Sequence, residues 1–241
     1  MPKPTGYVIY RGPSVLDGAP IVVIATVASE NRKTGPMVQT WILRADMAPT
    51  VASKAGADES ICGQCPQRWH LGGACYVNIG QGPQSVYGAW QRGRYPVADT
   101  VIGIARVAMG KRVRLGAYGD PAAVPVGIWN ALLSAAAGHT GYTHQWRTAP
   151  ALRDLCMASV DSAAEYADAQ IAGWRTFRVT GTAELLEPSE ILCPSEASGR
   201  KCAECLACDG ANASKGNAGA SVAITVHGSL ASRFKVQAVA V

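Results

Sequence analysis

The spacing of its cysteines constrains this chain more than any other feature of the sequence. Of the eight cysteines, four lie near the C-terminus, in Cys193-Pro194 and in Cys202-Ala-Glu-Cys205-Leu-Ala-Cys208. Thiolates spaced as Cys-x-x-Cys-x-x-Cys can converge on one point when the backbone turns tightly, and iron–sulfur clusters are held by such runs. This segment therefore predicts a metal site around which the fold must close.

A second group of cysteines lies in the middle of the chain, where Cys62-Gly-Gln-Cys65 is followed by Cys75. Its three thiolates leave the identity of a fourth ligand open. The candidates are Cys156, which stands alone, and His70 in the same loop, and the protein can also supply no fourth ligand at all. A three-cysteine site would leave one metal position accessible to a small molecule, as catalytic zinc sites do.

Both cysteine groups fit either iron–sulfur clusters or zinc. Zinc sites usually combine two Cys-x-x-Cys pairs across a longer spacer, whereas three C-terminal cysteines lie within residues 202–208. We therefore predict two [4Fe–4S] clusters, with zinc as the alternative metal and a single cluster held by both groups as the alternative arrangement. The predicted metal ligands are Cys62, Cys65, Cys75, Cys156, Cys193, Cys202, Cys205 and Cys208.

Composition places the chain among ordinary globular proteins. Its 241 residues are 48% hydrophobic and 16% charged, with a net charge of +5, which excludes disorder and gives no strong nucleic-acid signature. There is no signal peptide and no apolar stretch of about 18 residues, so we expect no membrane association. A cytoplasmic location follows as the expectation, and in a reducing compartment clustered cysteines favour metal binding over disulfides.

Hydrophobic patterning predicts a single α/β domain over residues 1–241. The β-branched runs at 21–27 and 37–43 predict an antiparallel hairpin in an N-terminal region, residues 1–48. Strand–helix alternation over residues 110–192 predicts a βα core, arranged as a partial (β/α) barrel or as an open parallel sheet. The cysteines then fall in two loops, at 57–82 and 193–219.

Polar residues follow several predicted strands of this core, where ligands of parallel sheets usually bind. Asp120, His144 and Asp161 are the candidate catalytic residues, in acid or base roles. Two of them also have structural explanations, because Asp161 or Ser162 would cap a helix and Asp120 precedes Pro121 in a turn.

Several motifs together resemble an uncharacterised bacteriophage family, which is named after gene product eighty-eight of a mycobacteriophage. The resemblance covers most of the chain from about Asp46 onward and implies a phage protein in the cytoplasm of an infected bacterium, without an assigned activity. The motifs are Cys62-Gly-Gln-Cys65-Pro-Gln-Arg68, Cys75-Tyr-Val-Asn78, Gly116-Ala-Tyr-Gly-Asp-Pro121, Gly141-Tyr-Thr-His-Gln-Trp146, Met157-Ala-Ser-Val-Asp-Ser162 and the C-terminal cysteine run.

A weaker similarity is to radical S-adenosylmethionine enzymes, which combine a partial barrel with a three-cysteine cluster and often an auxiliary cluster. The turn 116–121 is similar to their glycine-rich motif, which implies S-adenosylmethionine contacts at Gly116, Gly119 and Asp120. The Cys-x-x-Cys spacing of the middle group differs from the Cys-x-x-x-Cys-x-x-Cys of those enzymes.

The leading hypothesis is an iron–sulfur protein that performs redox or cluster-assisted chemistry on a small molecule. As an enzyme it would be radical-S-adenosylmethionine-like or another iron–sulfur oxidoreductase, with a small-molecule substrate or a redox partner. The alternative is a zinc-stabilised binding module for nucleic acid or a host protein. The mixed basic and aromatic residues at 68–70 and 90–95 suit nucleic-acid contacts.

Overall fold

Two β-sheets carry the fold in the computed structural model, which describes residues 3–27, 29, 31–181, 186–211, 219–228 and 230–234. The first sheet contains β1 (Gly6–Pro13), β2 (Pro20–Thr26), β3 (Val38–Arg44), β4 (Arg112–Tyr118) and β5 (Gly138–Thr140). The second sheet contains β6 (Tyr142–Thr143), β7 (Met157–Val160), β8 (Thr176–Thr180), β9 (Glu190–Leu192) and β10 (Ser221–Thr225).

The helices of the described residues are short. They are α1 (Pro49–Ala55), α2 (Glu59–Cys62), α3 (Gly82–Gln91), α4 (Val101–Ala108), α5 (Val126–Leu133), α6 (Ala163–Ile171), α7 (Pro194–Ser198) and α8 (Cys202–Cys205). Among these residues no helix is both long enough and apolar enough to cross a membrane.

The first sheet is mixed. β1, β2 and β3 are antiparallel, and β4 and β5 continue the sheet in parallel with β3. The pairing of Ile21 with Arg44 through Thr26 with Gln39 confirms the predicted hairpin. β2 is a central strand, and its residues 21–25 are completely buried, which is why this segment is a continuous apolar run.

The second sheet is entirely parallel, with the strand order β6-β7-β8-β10-β9. The predicted α/β class is therefore confirmed. The strand ladders of the described residues form two sheets, of which the second is all parallel, and they do not show the partial barrel that was the other predicted arrangement. Residues 138–143 run from the first sheet into the second through Gly141. A Cβ atom at Gly141 would lie 2.8 Å from the Cys156 sulfur, so the crossing between the sheets requires glycine.

Two predicted helices are shorter than expected. Residues 122–137, with a proline near their start and Gly138 after them, predict a single helix. The structure instead has a 3₁₀ turn at Pro121–Ala123 and then α5, because Pro125 disfavours helical geometry in the residue before it. The helix expected over residues 97–109 begins only at Val101, after the Thr100 side chain caps it. Val97 instead forms a β-bridge to Val8, a tertiary pairing that local pattern does not report.

Candidate metal-binding and catalytic site

The three cysteines of the middle group line one cavity of about 150 Å³, beyond the ends of the parallel strands. We call it the first cavity. The residues predicted for catalysis and cofactor binding line the same cavity, although they come from three separate segments of the chain. They are Gly116, Gly119, Asp120, His144 and Asp161.

Two glutamine side chains shape the loop that carries these cysteines. The Gln145 amide nitrogen donates to the Cys62 carbonyl at 3.3 Å, and its amide oxygen accepts from the Gln64 backbone N–H at 3.4 Å. The Gln67 side-chain oxygen accepts from the Ala74 N–H at 3.1 Å, and the Gln67 backbone carbonyl accepts from the Cys75 N–H at 3.0 Å, so the loop folds back on itself. Both glutamines lie within sequence motifs, but the sequence indicated a role for neither, because an isolated amide carries no spacing signal.

The thiols of this group lie close enough to oppose one another's ionisation. Burial raises the pKa of Cys62 well above its ordinary value, and the charges of Cys65, Asp58 and Cys75 raise it further. Burial also raises the pKa of Cys75 to about 11, with Cys65 contributing. A bound cation would reverse this balance, because a coordinating thiol is deprotonated.

His144 lies beside Cys65 inside the cavity. Its Nε2 atom is 3.9 Å from the Cys65 sulfur and 3.2 Å from Asp161 Oδ2. Burial opposes protonation of His144, but Cys65 and Asp161 outweigh it and raise the pKa of the imidazole well above its usual value. Both contacts use the same ring nitrogen, so the imidazole does not connect thiol and carboxylate in series as a hydrolase triad does.

Asp161 is a buried partner of His144 and not a helix cap. Ser162 caps α6 by accepting from the Glu165 N–H at 3.2 Å. The Asp161 carboxylate, 2% exposed, is left to accept from the Gln67 amide at 3.1 Å and to contact His144.

Asp120 has a positioning role that the sequence only partly indicated. Its Oδ1 accepts from the Ala122 N–H at 2.9 Å and from the Thr143 hydroxyl at 2.7 Å, and its Oδ2 accepts from the His144 N–H at 2.8 Å. Burial raises the pKa of Asp120 against these hydrogen bonds. The carboxylate therefore ties the turn after β4 to the backbone of His144.

The two glycines of this turn are required by its own packing. Gly116 has φ +63°, and a Cβ there would lie 2.5 Å from the Gly119 carbonyl oxygen. Gly119 has φ +83°, and its Cβ would lie 2.7 Å from Ile42 Cβ and 3.0 Å from the Ile42 carbonyl oxygen. These glycines have a structural explanation that holds without any ligand.

Replacing Gly119 with alanine is expected to lower the free energy of unfolding by about 2–4 kcal/mol, since left-handed backbone and a steric clash both oppose the new Cβ. Chemical denaturation followed by circular dichroism measures it. Gly110→Ala is the matched control, because φ is +67° there and nothing lies within 4 Å of its Cβ. Equal losses in the two variants would contradict the steric argument.

Tyr118 contributes an unsatisfied polar group to the first cavity. Its side chain is 3% exposed, and within the described residues its hydroxyl has no hydrogen-bond partner. Burial and the nearby Cys62 raise the pKa of this hydroxyl. Buried polar groups are nearly always paired, so this hydroxyl can take a water molecule or a ligand as its partner in the cavity.

The four C-terminal cysteines line a second, smaller cavity of about 20 Å³. Cys202 and Cys205 begin and end α8, and the left-handed Leu206 turns the chain toward Cys208. Cys193 precedes α7, where its N–H donates to the Ala223 carbonyl at 2.7 Å. Burial, together with the charges of the other three cysteines, raises the pKa of Cys208 to about 12.

The remaining candidates for a fourth ligand lie away from the first cavity. Cys156 is completely buried in the main hydrophobic core, and burial raises the pKa of its thiol well above the usual value. His70 is exposed, in a 3₁₀ turn at Trp69–Leu71. Neither residue lines the cavity. Within the described part of the chain, no group of three or more histidines, cysteines and acids is arranged to hold a metal ion.

The fold and its cavities define an α/β protein with two cysteine-lined sites. No protein-family model, curated protein or solved structure significantly matches this chain. The resemblances to the phage family and to radical S-adenosylmethionine enzymes therefore stay predictions.

Proposed function

We propose that this chain is an iron–sulfur protein that binds two [4Fe–4S] clusters and performs redox or cluster-assisted chemistry on a small molecule. Cys62, Cys65 and Cys75 would hold the first cluster. Cys193, Cys202, Cys205 and Cys208 would hold the second. The observation that carries the proposal is that the three-cysteine group shares one cavity with His144 and Asp161.

The donor sets fit this assignment. Thiolates suit iron–sulfur clusters and zinc alike, and four cysteines line one small cavity. Their side chains would have to turn toward a bound ion, since no group among the described residues is already arranged to hold one. The first group has only three thiolates, and the orphaned Tyr118 hydroxyl lies in the same cavity. A ligand set with an open position beside an unsatisfied polar group supports a reactive site rather than a purely structural one.

The chain's own residues would have distinct tasks. When bound, a cluster supplies electrons and an iron that accepts a substrate atom. His144 would lie beside the cluster ligand Cys65, with its Nε2 atom 3.9 Å from the thiol sulfur and 3.2 Å from Asp161 Oδ2. Asp161 orients that imidazole, and Asp120 positions its backbone.

The geometry gives the prediction of an S-adenosylmethionine cofactor little support, since packing alone accounts for Gly116 and Gly119. Incubation of the reduced protein with S-adenosylmethionine tests this separately. Release of methionine and 5′-deoxyadenosine supports the cofactor, and an unchanged cofactor removes it while leaving the cluster proposal intact.

Anaerobic purification followed by iron and sulfide analysis tests the cluster proposal. We expect about eight irons for each chain, since each cluster holds four. Cys62→Ser and Cys208→Ser are each expected to remove about half of the iron, as each disables one site. A colourless protein that holds stoichiometric zinc after anaerobic reconstitution would contradict the proposal and favour the zinc-stabilised module.

Cys156→Ala is the matched control for these variants. It removes a thiol buried in the core and away from both cavities, so the iron content should stay at the wild-type value. Loss of half of the iron would instead identify Cys156 as the missing ligand of the first cluster.

A further inference from the structure

A third cavity of about 370 Å³ lies between the two cysteine groups. Cys193 and Cys202 line it on one side, and it shares Tyr76, Tyr142 and His227 with the first cavity. Its volume is in the range of sites that enclose small molecules. We call it the central cavity.

Two cations define the charge of the central cavity. Lys33 lies at its exposed mouth, and Arg114 is half-buried on β4. Of the described residues that line the cavity, none is an aspartate or a glutamate. Glu196 does not line the cavity, but its negative charge favours the charged form of Lys33. The Glu196 carboxylate already accepts from the Thr225 N–H at 3.0 Å.

The contacts of both cations leave donors available. The Arg114 guanidinium lies 5.6 Å from the centre of the Tyr142 ring, and no carboxylate among the described residues forms an ion pair with it. The Lys33 ammonium contacts His227 Nε2 at 2.8 Å. His227 Nδ1 contacts the Thr225 carbonyl at 3.0 Å, so Nδ1 carries the proton and Nε2 accepts from Lys33. The hydrogen-bond partner of the Lys33 ammonium is thus neutral, and the acidic groups that act on it are Cys193, Cys202 and Glu196.

The walls of the central cavity are aromatic. Trp41, Tyr76, Tyr142 and Phe177 line it, with the Tyr142 and Phe177 rings 4.4 Å apart and the Tyr76 ring stacked on His227 at 5.5 Å. Flat rings suit stacking between such side chains, while the two cations suit an oxyanion.

We propose that the central cavity binds an anionic small molecule in which a carboxylate or phosphate is joined to a flat ring, with Lys33 and Arg114 as the anion ligands. This goes beyond the proposed function, because the two cations can bind an anion whether the cysteines hold iron, zinc or no metal. If clusters are present, the bound ring lies between the two sites.

Isothermal titration calorimetry on the anaerobically purified chain tests the proposal with two anions, adenosine 5′-monophosphate and 4-hydroxybenzoate. Adenosine and 4-hydroxybenzyl alcohol are the neutral controls. We expect at least one anion to bind, and to bind at least about tenfold more tightly than its neutral counterpart, since charge-assisted hydrogen bonds are the strong ones. Which anion binds distinguishes a phosphate from a carboxylate ligand. Failure of both anions to bind would overturn the proposal.

Lys33→Met and Arg114→Met are each expected to weaken anion binding at least about tenfold. Arg32→Met and Arg112→Met are the controls, because both arginines are exposed neighbours that do not line the cavity, and these variants should keep the wild-type affinity. Iron content is measured on the same samples. Variants that lose iron but keep the wild-type anion affinity would overturn the proposal, since the two cations would then serve only to neutralise cysteine thiolates.

Discussion

Arg178→Met is expected to lower the free energy of unfolding by about 3–5 kcal/mol, the usual cost of breaking a buried ion pair. The Arg178 and Glu190 side chains are 1% and 0% exposed. Arg178 Nε donates to Glu190 Oε1 at 2.9 Å, and Nη2 donates to Oε2 at 2.6 Å. Removing the guanidinium would leave the carboxylate buried without its partner. Urea denaturation followed by circular dichroism measures the loss.

Two further variants separate the buried charge from the loss of packing. Arg178→Met with Glu190→Leu is expected to recover most of the stability, because an apolar pair avoids burying any charge. Asp168→Asn breaks an exposed pair with Arg147 and should cost less than about 1 kcal/mol. A cost for Arg178→Met no larger than that of Asp168→Asn would refute the argument.

This ion pair also bears on the second cysteine site. Arg178 lies on β8 and Glu190 begins β9, which ends one residue before Cys193. The pair therefore holds the strand from which the first of the four C-terminal cysteines extends. We expect its loss to loosen that site as well as the sheet.

Arg175→Met is expected to detach the C-terminal cysteine loop and to remove about half of the iron. The guanidinium contacts Asp209 at 2.8 Å, which is the charged partner in this network. It also donates to the carbonyls of Ala207, Gly210, Gly219 and Ala220 at 2.7–3.0 Å. Methionine cannot donate to any of these groups, and each buried acceptor left unpaired costs about 1–3 kcal/mol.

Hydrogen exchange at residues 206–211, together with iron analysis, measures this effect. Arg153→Met is the matched control, because Arg153 is exposed and reaches the same segment only through its backbone carbonyl, which accepts from the Ala211 N–H at 2.8 Å. Faster exchange in both variants alike, or unchanged exchange in Arg175→Met, would show that the guanidinium does not anchor the loop.

Local patterns predicted much of the fold. Side-chain periodicity, together with residues that begin or end helices, predicted several elements. They are β2, β3, β4 and the succession of β7, α6 and β8. The bridge between Val8 and Val97 and the division of the predicted helix at Pro125 were not predicted. The bridge depends on a distant segment, and a proline in a helical pattern can either kink a helix or end it.

For a similar reason, the sequence predicted only some of the residues of the candidate site. Asp120, His144 and Asp161 were chosen because each follows a strand. His144 and Asp161 follow neighbouring parallel strands of the second sheet, which end at the same edge. Asp120 follows β4 of the first sheet and reaches the same cavity through its hydrogen bond from the His144 N–H. Spacing cannot report which distant residue approaches a loop. It therefore left Cys156 and His70 open as ligands, whereas the fold places His144 beside Cys65.

The sequence by itself determined the α/β class, the antiparallel start of the first sheet and two clusters of thiols, because each depends on residues that lie close together along the chain. Tertiary structure decided how these parts meet. It placed three cysteines in one cavity with His144, Asp161 and the Tyr118 hydroxyl, buried Cys156 in the core, and brought Lys33 and Arg114 to a central cavity between the two cysteine groups. Those contacts join residues far apart in the chain, and only the packing of two sheets through Gly141 brings them together.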